Sequence, residues 1–369
     1  MENYLVRSRW LAALICTIVF ASCQKDAVIE DASLSSTYSS DATVASPING
    51  EWKKASLKLA AAKAAIYKTD EYFATEMGSE CSTTNFDKVV SEYFSVFGPF
   101  ESGMYPEYAT VNQLYTFIDS SKQYFGKFGE YTHLVTKQQR KLESFWNMPD
   151  RVRIIGEHNS TMKDRDKIAR VYITFSHATP EAAYEVADQL LTINQESTVF
   201  VETPLISFDA FATTSHLIVL GDGLVQALIQ AGVNADIAVE GIISHEWGHQ
   251  VQFAHSQSWY GFAPEERPQT PAFTRQTEME ADFLSAYFLT HKLGGTYNWK
   301  RVAQFSELFF NIGDCDITNE GHHGTPRQRL AAAAFGYFVA SNTLPKGHVL
   351  TPDQLHKTFM QHFNSLLKA

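Results

Sequence analysis

The segment Ile242-Ile243-Ser244-His245-Glu246-Trp247-Gly248-His249-Gln250-Val251 sets two histidines four residues apart, with a glutamate beside the first. On an α-helix that spacing puts both imidazoles on one face, about one turn apart, where they can reach a single zinc ion. Glu246 then stands next to the metal and can serve as general base on a water that zinc activates. With 13 His and 41 acidic residues in a chain of 369, about 0.05 matches of this kind arise by chance. A surface helix carrying two histidines is the bland alternative. Ile242, Ile243, Val251 and Phe253 argue against it, because they bury the helix in a core where unpaired His and Glu are costly.

Upstream, short β-branched or aromatic runs predict strands at Arg151 to Ile155, Ala169 to Phe175, Thr198 to Glu202 and His216 to Leu220. A helix is predicted over Pro180 to Asn194, and others from Leu224 to Ala231, Ala235 to Ala254, Thr277 to Lys292 and Arg327 to Ala340. A small mixed sheet followed by a helical half makes an α+β domain over residues 150–369. Residues 51–149 read as a helical N-terminal region, with helices over Glu51 to Met77 and parts of Asp87 to Phe97, Val111 to Phe125 and Thr136 to Trp146. That region carries no catalytic motif and suits a cap or packing layer.

A catalytic zinc site usually takes three protein ligands and keeps one position open. Two residues compete to be the third. His255 completes a pattern similar to HExxHxxGxxH of the metzincins, but Gln252 stands where that pattern has the helix-breaking Gly. In an unbroken helix His255 would lie roughly 120° around and about 9 Å along from His249, out of reach. The other candidate is Glu278 in Glu278-Met279-Glu280-Ala281-Asp282, where Glu278 and Asp282 share a helix face and Ala281 leaves room for a neighbouring helix. Glu280 points about 200° away from Glu278.

HExxH followed by ExxAD resembles the gluzincins, in particular the neutral zinc metallopeptidases. The likeness implies a zincin-like fold in which Glu278 is the third zinc ligand and Asp282 supports a histidine ligand. A further segment, His323-Gly324-Thr325-Pro326-Arg327-Gln328-Arg329, resembles the HG(S/T)xxQR segment of that family. It implies a place for His323 near the metal, stabilising the charge that develops on the reacting carbonyl; the alternative is a loop histidine capping the next helix. The resemblance spans roughly residues 215–340, with Phe283 where the family often has Cys and no match over residues 51–150.

The chain begins with Arg7 and Arg9 before an apolar run from Trp10 to Phe20, too short to span a bilayer and suited to a secretory signal over residues 1–22. Phe20-Ala21-Ser22-Cys23 resembles the lipobox of bacterial lipoproteins, which implies lipidation at Cys23 and anchoring to the outer membrane or cell surface. Gln24-Lys25-Asp26 is similar to an export tag of some Gram-negative lipoproteins. Residues 23–50 are rich in Ser, Ala, Thr and Asp and read as a flexible tether. Cys81 and Cys315 then remain, either paired in an oxidising compartment or as two free thiols. A formal charge of −11 without a basic stripe speaks against a nucleic-acid partner.

Together these features predict a lipid-anchored, extracytoplasmic zinc metallopeptidase acting on a peptide or protein substrate. The rival is a surface lipoprotein that keeps the scaffold and binds protein or glycan without cleaving it. A structural zinc site is a third reading and would need a fourth protein ligand, from His255 or His323.

Overall fold

The computed structural model describes residues 84–312, 324–343 and 347–368. The chain is mixed α+β and mostly helical, with a three-stranded mixed sheet. The elements that matter here are α1 (Asn85–Ser95), α2 (Pro99–Ile118), α3 (Thr132–Phe145), β1 (Arg153–Glu157), α4 (Arg165–Phe175) and α5 (Pro180–Glu196). They are followed by β2 (Ala210–Thr213), β3 (Leu217–Gly221), α6 (Asp222–Gln230), α7 (Ala235–Tyr260), α8 (Pro271–Thr290), α9 (Trp299–Ile312), α10 (Pro326–Asn342) and α11 (Pro352–Leu366).

The strand order is β1-β3-β2. β3 pairs parallel to β1, with Arg153 opposite Leu217, and antiparallel to β2, with Ala210 opposite Leu220. Every residue of β3 is buried, as expected of a central strand covered on both faces. Alternation sorts its side chains: Ile218 and Leu220 join the main core, while Leu217 and Val219 meet Ile155 and Phe211 on the other face. The main core gathers α3, α7, α8, α10 and α11, so Val135 and Leu142 pack in one cluster with Ile242, Trp247 and Phe283. A second cluster joins α2, α4 and α5 through Tyr108, Val111, Ile168, Tyr172, Ala187 and Leu190.

Two expected strands are not strands. Ala169 to Phe175 lies in helix α4, which Asp164 caps by accepting from the backbone N–H groups of Asp166 and Lys167. Its buried residues, Ile168, Ala169, Val171 and Tyr172, follow the helical spacing despite β-branched composition. Thr198 to Glu202 forms turns leading into a short 3-10 helix at Pro204–Ser207. The expected helix Val111 to Phe125 begins earlier and ends at Ile118. β2, α9 and α11 are additional elements. The signal segment 1–22, Cys23, the tether 23–50, the helix expected over Glu51 to Met77, Cys81, Cys315 and His323 lie outside the described residues. Among the described residues no helix is long and apolar enough to cross a membrane.

α7 and α8 approach closely because their facing positions are small. A Cβ on Gly248 would lie 3.0 Å from Ala281 Cα. On the other side of α8, a Cβ on Gly336 of α10 would lie 2.3 Å from the Phe283 carbonyl oxygen. Glycine at these two points lets three helices stack backbone to backbone, and α8 is buried without a break from Thr277 to Leu289.

Candidate metal centre

Asn234 caps α7 by accepting from Asp236 N–H, and the helix then runs uninterrupted until Gly261 takes the left-handed conformation that ends it, at φ 84°. His245 and His249 therefore share a face. α8 starts at a Thr270 cap with Pro271 in its first turn, and crosses α7 so that Glu278 meets both imidazoles. His245 Nε2 lies 3.1 Å from Glu278 Oε2, and His249 Nε2 lies 3.3 Å from Glu278 Oε1. The three residues are buried, and their ligand atoms all fall within 4.8 Å of one another.

These spacings fit a metal. A tetrahedral zinc ion with bonds of about 2.0–2.1 Å sets its N and O donors roughly 3.3 Å apart, of the order of the two separations here, each of which runs to a different Glu278 oxygen. Two imidazole nitrogens and one carboxylate oxygen also form a donor set of the kind found in catalytic zinc sites. The triad could hold a metal ion.

Each imidazole is held from its far side. Asp282, fully buried, places Oδ1 2.9 Å from His245 Nδ1. His249 Nδ1 meets Gln252 Oε1 at 2.9 Å, and the Gln252 amide is oriented by donating to the Thr277 carbonyl at 2.8 Å. That fixes Gln252 Oε1 as acceptor and His249 Nδ1 as donor, leaving Nε2 turned towards Glu278 and able to serve as the ligand atom. Arg329 of α10, 1% exposed, donates through Nε and Nη2 to the two oxygens of Asp282, both at 2.8 Å.

The charges respond to these contacts. Burial opposes a charge on His245, but Asp282 and Glu278 outweigh it and carry its pKa up to about 9. Burial would raise Glu278, yet the two histidines hold its carboxyl well below the usual range. Glu246 goes the other way, since burial lifts its carboxyl above the usual range and the neighbouring histidines offset this only in part.

His245, Glu246, His249, Glu278 and Arg329 line one cavity of about 280 Å³. Glu246 faces this space without belonging to the donor triad. Apart from Arg267, the remaining walls are apolar: Leu224 and Leu228 of α6, Ile242 and Phe253 of α7, and residues 210–212 of the edge strand β2.

His255 lies inside the unbroken helix, stacked on Trp259 and 3.6 Å from Asp353, apart from the triad. Glu280, also fully buried, accepts from Tyr260 Oη at 2.6 Å and pairs with His356 at 2.7 Å. Two supporting residues escaped the sequence reading. Arg329 closes the His323 to Arg329 segment, so its signal was present. Gln252 was visible only as the residue standing where a metzincin has Gly; its place three residues after His249 is the signal that could have found it.

In comparisons with known proteins, the chain finds no matching family model and no significant match among curated proteins or solved structures.

Proposed function

We propose that the chain is a zinc-dependent peptidase of the gluzincin type, with zinc held by His245, His249 and Glu278. The observation that carries this reading is a buried carboxyl group, Glu246, that faces the same cavity as the donor triad without joining it. Zinc in that position supplies Lewis acidity, polarising a carbonyl and acidifying a water. Glu246 takes a proton from the attacking water as its oxygen bonds to the carbonyl carbon. It delivers that proton to the amine nitrogen as the C–N bond breaks. Its place on the wall of the cavity, next to His245 and outside the donor triad, suits Glu246 to this role. Asp282 and Gln252 hold the Nδ1 sides of the two histidines, keeping Nε2 turned inward. Among the described residues β2 pairs within the sheet on one side only, so an extended peptide can add to its other edge beside the cavity.

Zinc-loaded wild type and Glu246→Gln, incubated with a diverse peptide library and followed by mass spectrometry of new termini, test the reading. The variant is expected to keep metal and fold while losing a factor of about 10² to 10⁴ in rate. Absence of cleavage by the wild type across a broad pH range, or equal cleavage by both, overturns it.

We further propose that Cys23 carries a lipid that anchors the chain outside the cytoplasm. Cys23→Ala should move the protein from the membrane fraction to the soluble one. Unchanged membrane association, with no lipid found by mass spectrometry, refutes this.

A further inference from the structure

Two guanidinium groups reach the cavity that holds the donor triad, and they differ in what they are bound to. Arg329 is engaged by Asp282 through two hydrogen bonds. Arg267 follows the 3-10 turn Pro264–Glu266 and is partly buried, with its guanidinium carbon 5.6 Å from the centre of the Phe253 ring. Among the described residues no carboxylate pairs with it. Of the acids on neighbouring segments, Glu266 accepts from Ala263 N–H, Glu265 is exposed, and Glu280 is bound by Tyr260 and His356.

An arginine on the wall of a cleft, backed by an aromatic ring and without a carboxylate partner among the described residues, is arranged to receive a carboxylate through paired hydrogen bonds. Its position relative to the chemistry is set by Phe253, whose ring centre lies 6.4 Å from that of His249. The guanidinium is thus two ring contacts from a metal ligand, a span that an extended peptide covers in roughly three residues at ~3.3 Å each. Leu224, Leu228 and Ile242 line the same cavity and would take an apolar side chain. The chain's formal charge of −11 repels acidic peptides in bulk, so their capture depends on a local cation.

We propose that Arg267 is the specificity residue of the cleft and that its substrates pair an apolar residue with a carboxylate, within about three residues of the scissile bond. The carboxylate is either a free C-terminus or an Asp or Glu side chain. This rests on the peptidase reading above, and the test separates the two.

Alanine–leucine octapeptides are prepared in three forms: free C-terminus, C-terminal amide, and C-terminal amide with one internal glutamate. Cleavage by the zinc-loaded wild type, Arg267→Gln and Arg267→Lys is measured as kcat/KM. Binding of dye-labelled copies to zinc-loaded Glu246→Gln, with and without Arg267→Gln, is measured by anisotropy. Zinc content and Tm are measured for every variant. The wild type should prefer a carboxylate form about 10- to 100-fold over the neutral amide, as a charge-assisted hydrogen-bond pair predicts. Arg267→Gln should erase that preference with zinc retained, and Arg267→Lys should keep part of it.

Preference for the free C-terminus alone assigns a carboxypeptidase-like action, and preference for the glutamate form alone an endopeptidase that reads acidic side chains. Cleavage of all three forms at similar rates, or a preference that survives Arg267→Gln, overturns the inference and leaves the peptidase reading standing. Carboxylate-selective binding that depends on Arg267, without any cleavage by the wild type, keeps the inference and refutes the peptidase reading. Neither cleavage nor selective binding refutes both.

Discussion

Replacing Arg329 by Met removes a buried cation while keeping much of its side-chain volume. Arg329 is 1% exposed and Asp282 0%, and the two 2.8 Å bonds between them leave neither group turned to solvent. Without the guanidinium, the Asp282 carboxylate stays in the core beside His245 alone, 2.9 Å from Nδ1. Breaking a buried pair from one side costs about 3–5 kcal/mol, since it strands the other charge. For a chain of this size each kcal/mol moves Tm by about 2–4 °C, so a fall on the order of 10 °C is expected. The double variant Asp282→Asn/Arg329→Met strands no charge and should recover part of the loss, giving a coupling energy of about 2 kcal/mol or more. Thermal unfolding followed by circular dichroism, with chelator present so that metal binding adds nothing, measures both. A shift below about 2 °C in the single variant, or simple additivity in the double, would refute the reasoning.

Gln252→Leu removes the acceptor behind His249, and zinc affinity should fall about 10- to 100-fold, as for other residues that orient a ligand imidazole. Chelator competition reads this out, and an unchanged affinity would mean that Gln252 does not hold the ring. Burial, with Asp209 nearby, pushes the Glu157 carboxyl well above its usual pKa, so the folded chain favours the neutral acid. Its contribution to stability is therefore fully present below the unfolded carboxyl pKa of about 4.3 and is lost as pH rises towards the raised folded value. Glu157→Gln should be more stable than wild type at neutral pH and should flatten this dependence. Urea unfolding at pH 5 and pH 8 is the measurement, and an unchanged pH slope would rule Glu157 out as its source.

The donor triad was legible where its geometry is local. His245 and His249 need only one helical turn, and Ile242, Ile243 and Val251 mark that turn as buried, so residue spacing sufficed. Glu278 is 33 residues from His245, and spacing alone could place it on a face with Asp282 but not against α7. That contact depends on Gly248 meeting Ala281, a tertiary event that a motif resemblance anticipates and helical periodicity does not. The errors have the same origin. In Ala169 to Phe175 the β-branched residues suggested a strand, whereas burial of Ile168, Ala169, Val171 and Tyr172 against α2 and α5 selects the helix. β2 was missed because Ala210–Thr213 is four residues long and half alanine. What makes it a strand is the neighbouring β3, not its own propensity.

The charge inventory around the centre bears on what the triad holds. Glu246, Glu278 and Asp282 bring three buried carboxyl groups to one place, and Arg329 supplies one permanent cation against them. These groups are nearly buried and meet solvent only through the cavity, and uncompensated charge there would cost several kcal/mol per ion. The rise of His245 towards 9 comes from the same surplus, because Asp282 and Glu278 favour a proton on the ring strongly enough to overcome its burial. A divalent cation between His245, His249 and Glu278 would offset two of the negative charges and leave the third to Arg329. Monovalent ions would leave one carboxylate unbalanced, and imidazole nitrogens are poor ligands for the hard alkali and alkaline-earth cations. Charge count therefore fits any divalent ion, and it is the two imidazole ligands that suit the proposed zinc better than calcium or magnesium.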